Sequence, residues 1–318
     1  MAGPNALEPE LIRAEEWPAD FRAGFACLVG RPNAGKSTLT NALVGQKVAI
    51  TSGRPQTTRH TVRGVVHRPD GQLVLVDTPG LHRPRTLLGQ RLNDLVRETL
   101  AEVDVIVFCV PADEKAGPGD RFIARELVQQ RTPVIVAVTK ADKVGREQLA
   151  AQLLAVQELG EWAEIVPVSA VRDEQVDVLT GLLMARMPVS PPLYPTGELT
   201  DEPENVMIAE LVREAALEGV RDELPHSLAV VVEEILERPR EKGDQRPPML
   251  DVHVNLYVER PSQKAIVIGK GGARLREVGT QARRSIEALL GARVYLDLHV
   301  RVAKDWQRDP KLLQRLGF

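Results

Sequence analysis

The run Gly30-Arg31-Pro32-Asn33-Ala34-Gly35-Lys36-Ser37 constrains this chain more than any other. It fits G-x-x-x-x-G-K-[ST] at every fixed position, the pattern of a loop that wraps phosphates. Residues 25–29 before it read as a short apolar strand, and residues 38–43 after it as the start of a helix. In that setting glycines let backbone N–H groups turn inward around a triphosphate, and the helix N-terminus adds partial positive charge. The cradle comprises Gly30, Asn33, Ala34, Gly35, Lys36, Ser37 and Thr38. Lys36 is expected to reach the β and γ phosphates, and the Ser37 hydroxyl to bind Mg²⁺. The same pattern without a ligand is a Gly-rich strand-to-helix turn.

Strand and helix signals alternate from about residue 21 to 188. Strand-like runs fall at 25–29, 48–51, 62–67, 73–76, 105–110, 134–138 and 165–168. Helical patterns fall at 88–101, 120–130, 146–158 and 174–187. Such alternation predicts an α/β domain, a mostly parallel sheet with helices on both faces. Asp70-Gly71 is a turn dipeptide between two of the strands, so that pair is expected as an antiparallel hairpin at the sheet edge. A phosphate-loop sheet with one such hairpin is the layout of small GTPases.

Residues 189–206 are Pro-rich without periodicity and read as a linker. Beyond it, across 207–318, the order becomes α-β-β-α-α-β, an α+β domain. Its expected elements are a helix at 207–219, strands at 228–236 and 250–259, helices near 263–268 and at 273–290, a strand at 294–300 and a closing helix at 310–316. The charged stretch 239–248 is expected as the hairpin loop. Residues 1–20 read as a flexible leader, without a signal-peptide pattern. No apolar run is long enough to span a bilayer. Cys27 and Cys109 lie in strand-like runs and are expected in the core, consistent with a reducing cytosol.

The net charge of −3 hides an asymmetry. From Arg260 onward thirteen basic and five acidic residues give +8, leaving −11 for what precedes. A basic end on an acidic chain points to a polyanionic partner for that end, although a solvated helix face carries the same composition.

Four further elements stand where a guanine-nucleotide site needs them. Asp77-Thr78-Pro79-Gly80 ends a strand: Asp77 can hold Mg²⁺ through water, and the Gly80 N–H can meet the γ-phosphate. Thr139-Lys140-Ala141-Asp142 ends another. The Asp142 carboxylate can accept two N–H bonds from the guanine edge, where adenine presents the wrong polarity. Lys140 would cover the base, and a backbone N–H at Ser169-Ala170 can meet the guanine O6. All lie at C-terminal strand ends, where open α/β sheets bind ligands. Between the phosphate loop and Asp77 lies Gln56-Thr57-Thr58-Arg59. A Thr there, Thr58 in preference to Thr57, can complete the Mg²⁺ shell and release on hydrolysis, which makes the loop a switch.

Taken in order, these elements resemble the translation-factor-related GTPases, and specifically the Era-like family. The resemblance implies GTP hydrolysis to GDP and phosphate, with Lys36, Thr58, Gly80 and Asn33 as the catalytic set. Leu81 follows Gly80 where Ras-like enzymes carry a water-orienting Gln, and an apolar side chain cannot polarise water. Slow intrinsic hydrolysis is therefore expected. In related GTPases an Asn at the Asn33 position helps hold a K⁺ ion. Thr139 stands where the family usually has Asn, and its shorter hydroxyl is expected to make fewer bonds and weaken nucleotide binding.

In the second domain, Val267-Ile268-Gly269-Lys270-Gly271-Gly272 matches the G-x-x-G loop of KH domains, which clamps about four nucleotides of single-stranded backbone. It follows α-β-β-α and precedes α-β, the type II KH order. Glycines admit phosphates, Lys270 adds charge, and Ile266 and Ile268 are expected to line a groove for bases. Arg274, Arg276, Arg283 and Arg284 follow on the next helix. The Era-like resemblance continues through Leu224-Pro225-His226-Ser227, expected to open the domain's first strand, and through Gly279-Thr280-Gln281-Ala282-Arg283-Arg284. It implies a cytoplasmic protein that binds the 3′ end of 16S rRNA during assembly of the 30S ribosomal subunit. It also implies peripheral membrane association in some members. Two other readings remain open on residues alone: a phosphate-loop kinase, and an RNA-binding module whose nucleotide site is only structural.

Overall fold

The computed structural model describes residues 17–51, 58, 61–81, 84, 86–218, 224–239 and 248–316, with only the backbone at Pro225 and His226. The expectations placed on the leader up to residue 16, on Gln56, Thr57 and Arg59, and on the loop 240–247 lie outside those residues.

The first unit runs β1 (Arg22–Val29), α1 (Lys36–Val44), β2 (Val62–Arg68), β3 (Gly71–Asp77), α2 (Leu87–Glu102), β4 (Val105–Pro111), α3 (Pro118–Leu127), β5 (Val134–Thr139), α4 (Arg146–Gln157), β6 (Glu164–Pro167) and α5 (Val176–Met184). The strands form one sheet in the order β2-β3-β1-β4-β5-β6. Every neighbouring pair is parallel except the edge hairpin β2–β3. Period-two alternation sends Ala26, Leu28, Val107 and Cys109 to one face, under Leu39 of α1 and Leu183 of α5. Cys27, Val29, Ile106 and Phe108 go to the other, under Val96 of α2 and Ile123 of α3. Each face thus buries one stripe of each helix, as a doubly covered sheet requires. Both cysteines are free and fully buried, and burial pushes the Cys109 thiol up to about 12.

Residues 48–51 do not form the expected strand. Asn41 of α1 takes the backbone groups that a ladder would have used. Its Oδ1 accepts from the Val48 and Ala49 N–H groups, both at 2.9 Å, and its Nδ2 donates to the Ala49 carbonyl at 2.8 Å. The Pro-rich segment after α5 is not a loose tether. The Gln72 side chain, 1 % exposed, accepts from the Leu193 and Tyr194 N–H groups, and the Val65 N–H donates to the Leu199 carbonyl at 2.9 Å. The segment is strapped along the β2 edge and covers it.

The second unit runs α6 (Glu204–Leu217), α7 (Leu224–Ser227), β7 (Ala229–Glu237), β8 (Met249–Val258), α8 (Pro261–Ile268), α9 (Ala273–Leu290), β9 (Arg293–Val302) and α10 (Pro310–Arg315). Its sheet has the order β7-β8-β9, antiparallel then parallel, with β9 at an edge. Leu224–Ser227 forms a helical turn instead of opening a strand. That turn lets the Trp306 indole N–H reach the Ser227 carbonyl at 2.9 Å. Val252, Val254, Leu256 and Val258 of β8 pack beneath α6 and α9.

The units meet through apolar side chains. Ile50 joins the core around α6, and Leu88 and Leu92 of α2 pack with Tyr257, Trp306 and Leu313. Among the described residues no helix is long and apolar enough to cross a membrane.

Candidate functional site

The phosphate loop leaves β1 at Gly30 and enters α1 at Lys36. A Cβ on Gly30 would lie 2.6 Å from the Cys109 carbonyl oxygen, so only glycine fits beside β4. Asn33 and Gly35 both have positive φ, 64° and 89°, which turns the loop back on itself. Gly80 closes over it from the end of β3: a Cβ there would meet the Pro32 nitrogen at 2.8 Å. The Leu81 N–H donates to the Gly30 carbonyl at 3.2 Å, while the Leu81 side chain is buried in the core and turned away from chemistry. The Lys36 ammonium curls onto the Gly30 and Arg31 carbonyls, both at 3.3 Å. Burial lowers its pKa, opposed by the Asp77 charge.

Ser37, Thr58 and Asp77 converge. The Ser37 hydroxyl donates to Asp77 Oδ2 at 2.6 Å, lies 2.9 Å from Thr58 Oγ1, and Thr58 donates to the same Oδ2 at 3.2 Å. Asp77 is fully buried, and its Oδ1 has no hydrogen-bond partner among the described residues. Burial raises its pKa, opposed by Lys36 and by the two hydroxyls. Two hydroxyls gathered at one oxygen of a buried carboxylate, whose other oxygen lacks a partner among the described residues, suit a hard divalent cation, and so fit Mg²⁺.

The base-recognition elements gather at the ends of β5 and β6. Asp142 sits in a short turn (Ala141–Lys143), where Ser169 Oγ donates to its Oδ1 at 2.7 Å. This fixes the carboxylate plane. Ser169 is itself held by a two-way backbone pairing with Glu174. Lys140 adopts φ 58° and pairs with Asp113 at 3.3 Å. Thr139 donates its short hydroxyl to the Ala34 carbonyl at 2.6 Å and so bridges β5 to the phosphate loop. Thr38 is half-buried on α1, one residue beyond Ser37.

In the second unit the turn between α8 and α9 carries three positive φ angles: 73° at Gly269, 59° at Gly271 and 76° at Gly272. A Cβ on Gly269 would strike Arg274 Cβ at 2.7 Å, so the turn needs glycine for space as well as conformation. Beside it a groove of about 390 Å³ is lined by Gly272, Leu275, Arg276 and Arg283 on the helix side and by Tyr295 and Leu298 on β9. Arg284 faces an adjoining hollow. Lys270, Arg276, Arg283 and Arg284 are exposed. Among the described residues, none of the thirteen basic residues from Arg260 onward pairs with a carboxylate. The positive charge of this segment, +8 from Arg260 onward, is therefore offered at the surface, while the residues before it carry most of the unit's acids.

Ile266 is exposed on α8 and Ile268 packs against the core, while Leu275 and β9 line the groove beside α9. One placement differs from the sequence expectation. Arg274 is half-buried and donates to the Ala216 and Glu218 carbonyls at the end of α6, at 3.1 and 2.5 Å. Sequence reading also missed Glu214. Its Oε1 accepts from the Thr51 N–H at 2.9 Å, and its Oε2 pairs with Lys47 at 2.5 Å. It meets its partners across more than 160 positions, so no local pattern could mark it.

Known proteins agree with this geometry. The family described as 50S ribosome-binding GTPase matches residues 25–140, and the KH domain family matches residues 223–307. GTPase Era of Streptomyces coelicolor is 68 % identical over 314 residues, covering 96 % of this chain and 98 % of that protein. GTPase Era of Mycolicibacterium smegmatis is 68 % identical, covering 94 % and 99 %. A crystal structure of Era in complex with MgGDPNP and nucleotides 1506-1542 of 16S ribosomal RNA is similar at a TM-score of 0.87 and 38 % identity, covering 93 % of this chain and 99 % of that one. A variant of Aquifex aeolicus Era bound to GDP.AlF4- gives 0.86 and 36 %, with the same coverage. With likeness of this degree running through both units, the chain belongs to the Era family of GTPases, a nucleotide-hydrolysing domain followed by a KH domain.

Proposed function

We propose that this GTPase is a nucleotide-controlled RNA clamp acting in assembly of the 30S ribosomal subunit, with its KH domain gripping the 3′ end of 16S rRNA. The observation that carries the reading is the basic groove beside Gly269–Gly272 in the same chain as the phosphate loop. The similar Era structure holding a 16S rRNA segment supports it. The proposed division is residues 21–188 for nucleotide, 189–206 as connector and 207–318 for RNA.

In this reading Ser37 and Thr58 hold Mg²⁺ with Asp77 beside them. The metal, when bound, neutralises charge on the phosphates. Lys36 leaves the loop carbonyls for the β and γ phosphates, and the Gly80 N–H meets the γ-phosphate. The free edge of the Asp142 carboxylate reads guanine while Lys140 covers the base. The Ala170 region meets O6. Leu81 orients no water, so charge stabilisation must come from elsewhere, and in this reading Asn33 helps hold a K⁺ ion that supplies it. Turnover is then faster in K⁺ than in Na⁺; equal rates reject that role.

The test of the whole reading joins two measurements on purified protein. GTP is hydrolysed to GDP and free phosphate with no phosphorylated metabolite, and a 16S rRNA 3′-end fragment is retained in preference to a scrambled strand. Equal retention of both strands would defeat the assignment.

A further inference from the structure

Aromatic residues are 3 % of this chain, and among the described residues one aromatic side chain is exposed: Tyr295, at 51 %. It stands on β9, the edge strand whose neighbouring residues Val294, Leu296 and Leu298 line the groove. The period-two alternation of β9 sends Leu296 and Leu298 toward the helices. The Tyr295 side chain points to the other face of the sheet, immediately past the groove's rim.

The ring is held rather than loose. The Arg238 guanidinium lies over it, 5.2 Å from the ring centroid. Arg238 is fixed in turn by both oxygens of Asp251, at 2.8 and 2.9 Å, and Asp251 is the register partner of Tyr295 on β8. Among the described residues the ring joins none of the buried apolar clusters, so burial of apolar surface does not account for it. Stacking on a π-face is the chemistry such a ring offers, and unpaired bases are what a strand leaving the groove would present.

We infer that Tyr295 is a stacking platform for one unpaired nucleobase outside the four-nucleotide clamp, reached where the RNA strand passes over the β9 edge. The site takes any base, because every base has a π-face, and Arg238 braces the ring for it. This rests on the RNA reading above and adds a subsite to it.

The test uses the full chain and two single-stranded RNAs, a four-nucleotide core and the same core extended by two nucleotides at each end. Tyr295→Ala is expected to weaken binding of the longer strand about tenfold or more, the scale of alanine substitution at stacked bases, and to leave the four-nucleotide strand unchanged. Tyr295→Phe restores wild-type affinity. Abasic replacement along the longer strand should find one flanking position that costs the wild type about tenfold and costs Tyr295→Ala nothing. The inference falls if no flanking abasic position weakens the wild type, a result that needs no variant. It also falls if Tyr295→Ala binds both strands as the wild type does, or weakens both equally. A wild type that binds neither strand removes the RNA reading itself, and this subsite with it.

Discussion

The Thr139 hydroxyl donates to the Ala34 carbonyl at 2.6 Å, tying the end of β5 to the phosphate loop. Both groups are buried, so the bond is made away from water. Thr139→Val keeps the shape and leaves the Ala34 carbonyl unpaired. The expected loss is about 1 kcal/mol, or roughly fivefold in GTP affinity, read by calorimetric titration. Unchanged affinity would make the bridge dispensable.

Asp142 is held at one oxygen by Ser169, which leaves the other for the base. Asp142→Ala should cost roughly a hundredfold or more in GTP affinity, because the N–H groups of the guanine edge lose the carboxylate that accepts from them. Competition with ATP measures it: the wild type discriminates strongly, and the variant should not.

One helical turn of α6 is gripped from both sides. Glu214 binds Thr51 at the root of the loop carrying Thr58, while Ala216 and Glu218 bind Arg274 beside the clamp. Gln281 adds a bond to Glu218 at 2.5 Å. Coupling between sites in proteins is commonly about five- to 150-fold. RNA affinity in the GTP-analogue form should exceed that in the GDP form on this scale, and Glu214→Ala should bring the ratio close to one. Identical RNA affinities for the two nucleotide forms of the wild type would show that no such coupling exists.

Trp306 is fully buried between α2 and the KH sheet. Trp306→Ala should cost about 3–5 kcal/mol by denaturant unfolding. Trp306→Phe should cost less, losing mainly the bond to the Ser227 carbonyl.

The phosphate loop, Asp77, Asp142 and the glycine turn were legible because each is a short pattern whose spacing is imposed by a ligand or a turn. The β2–β3 hairpin was legible from Asp70-Gly71 for the same reason. Residues 48–51 misled because Val, Ala and Ile favour a strand, and only the Asn41 side chain decides otherwise. Arg274 misled because charge composition cannot tell a cation facing solvent from one capping a helix end. Glu214, Gln72 and Tyr295 take their meaning from partners distant in the chain.

Ile50, Leu88 and Leu92 are shielded from water in part by side chains of the KH unit. A fragment cut near Pro188 would carry three uncovered greasy side chains close to its own regulatory loops. Such a fragment would tend to self-associate. Its turnover would describe a damaged half rather than the resting enzyme.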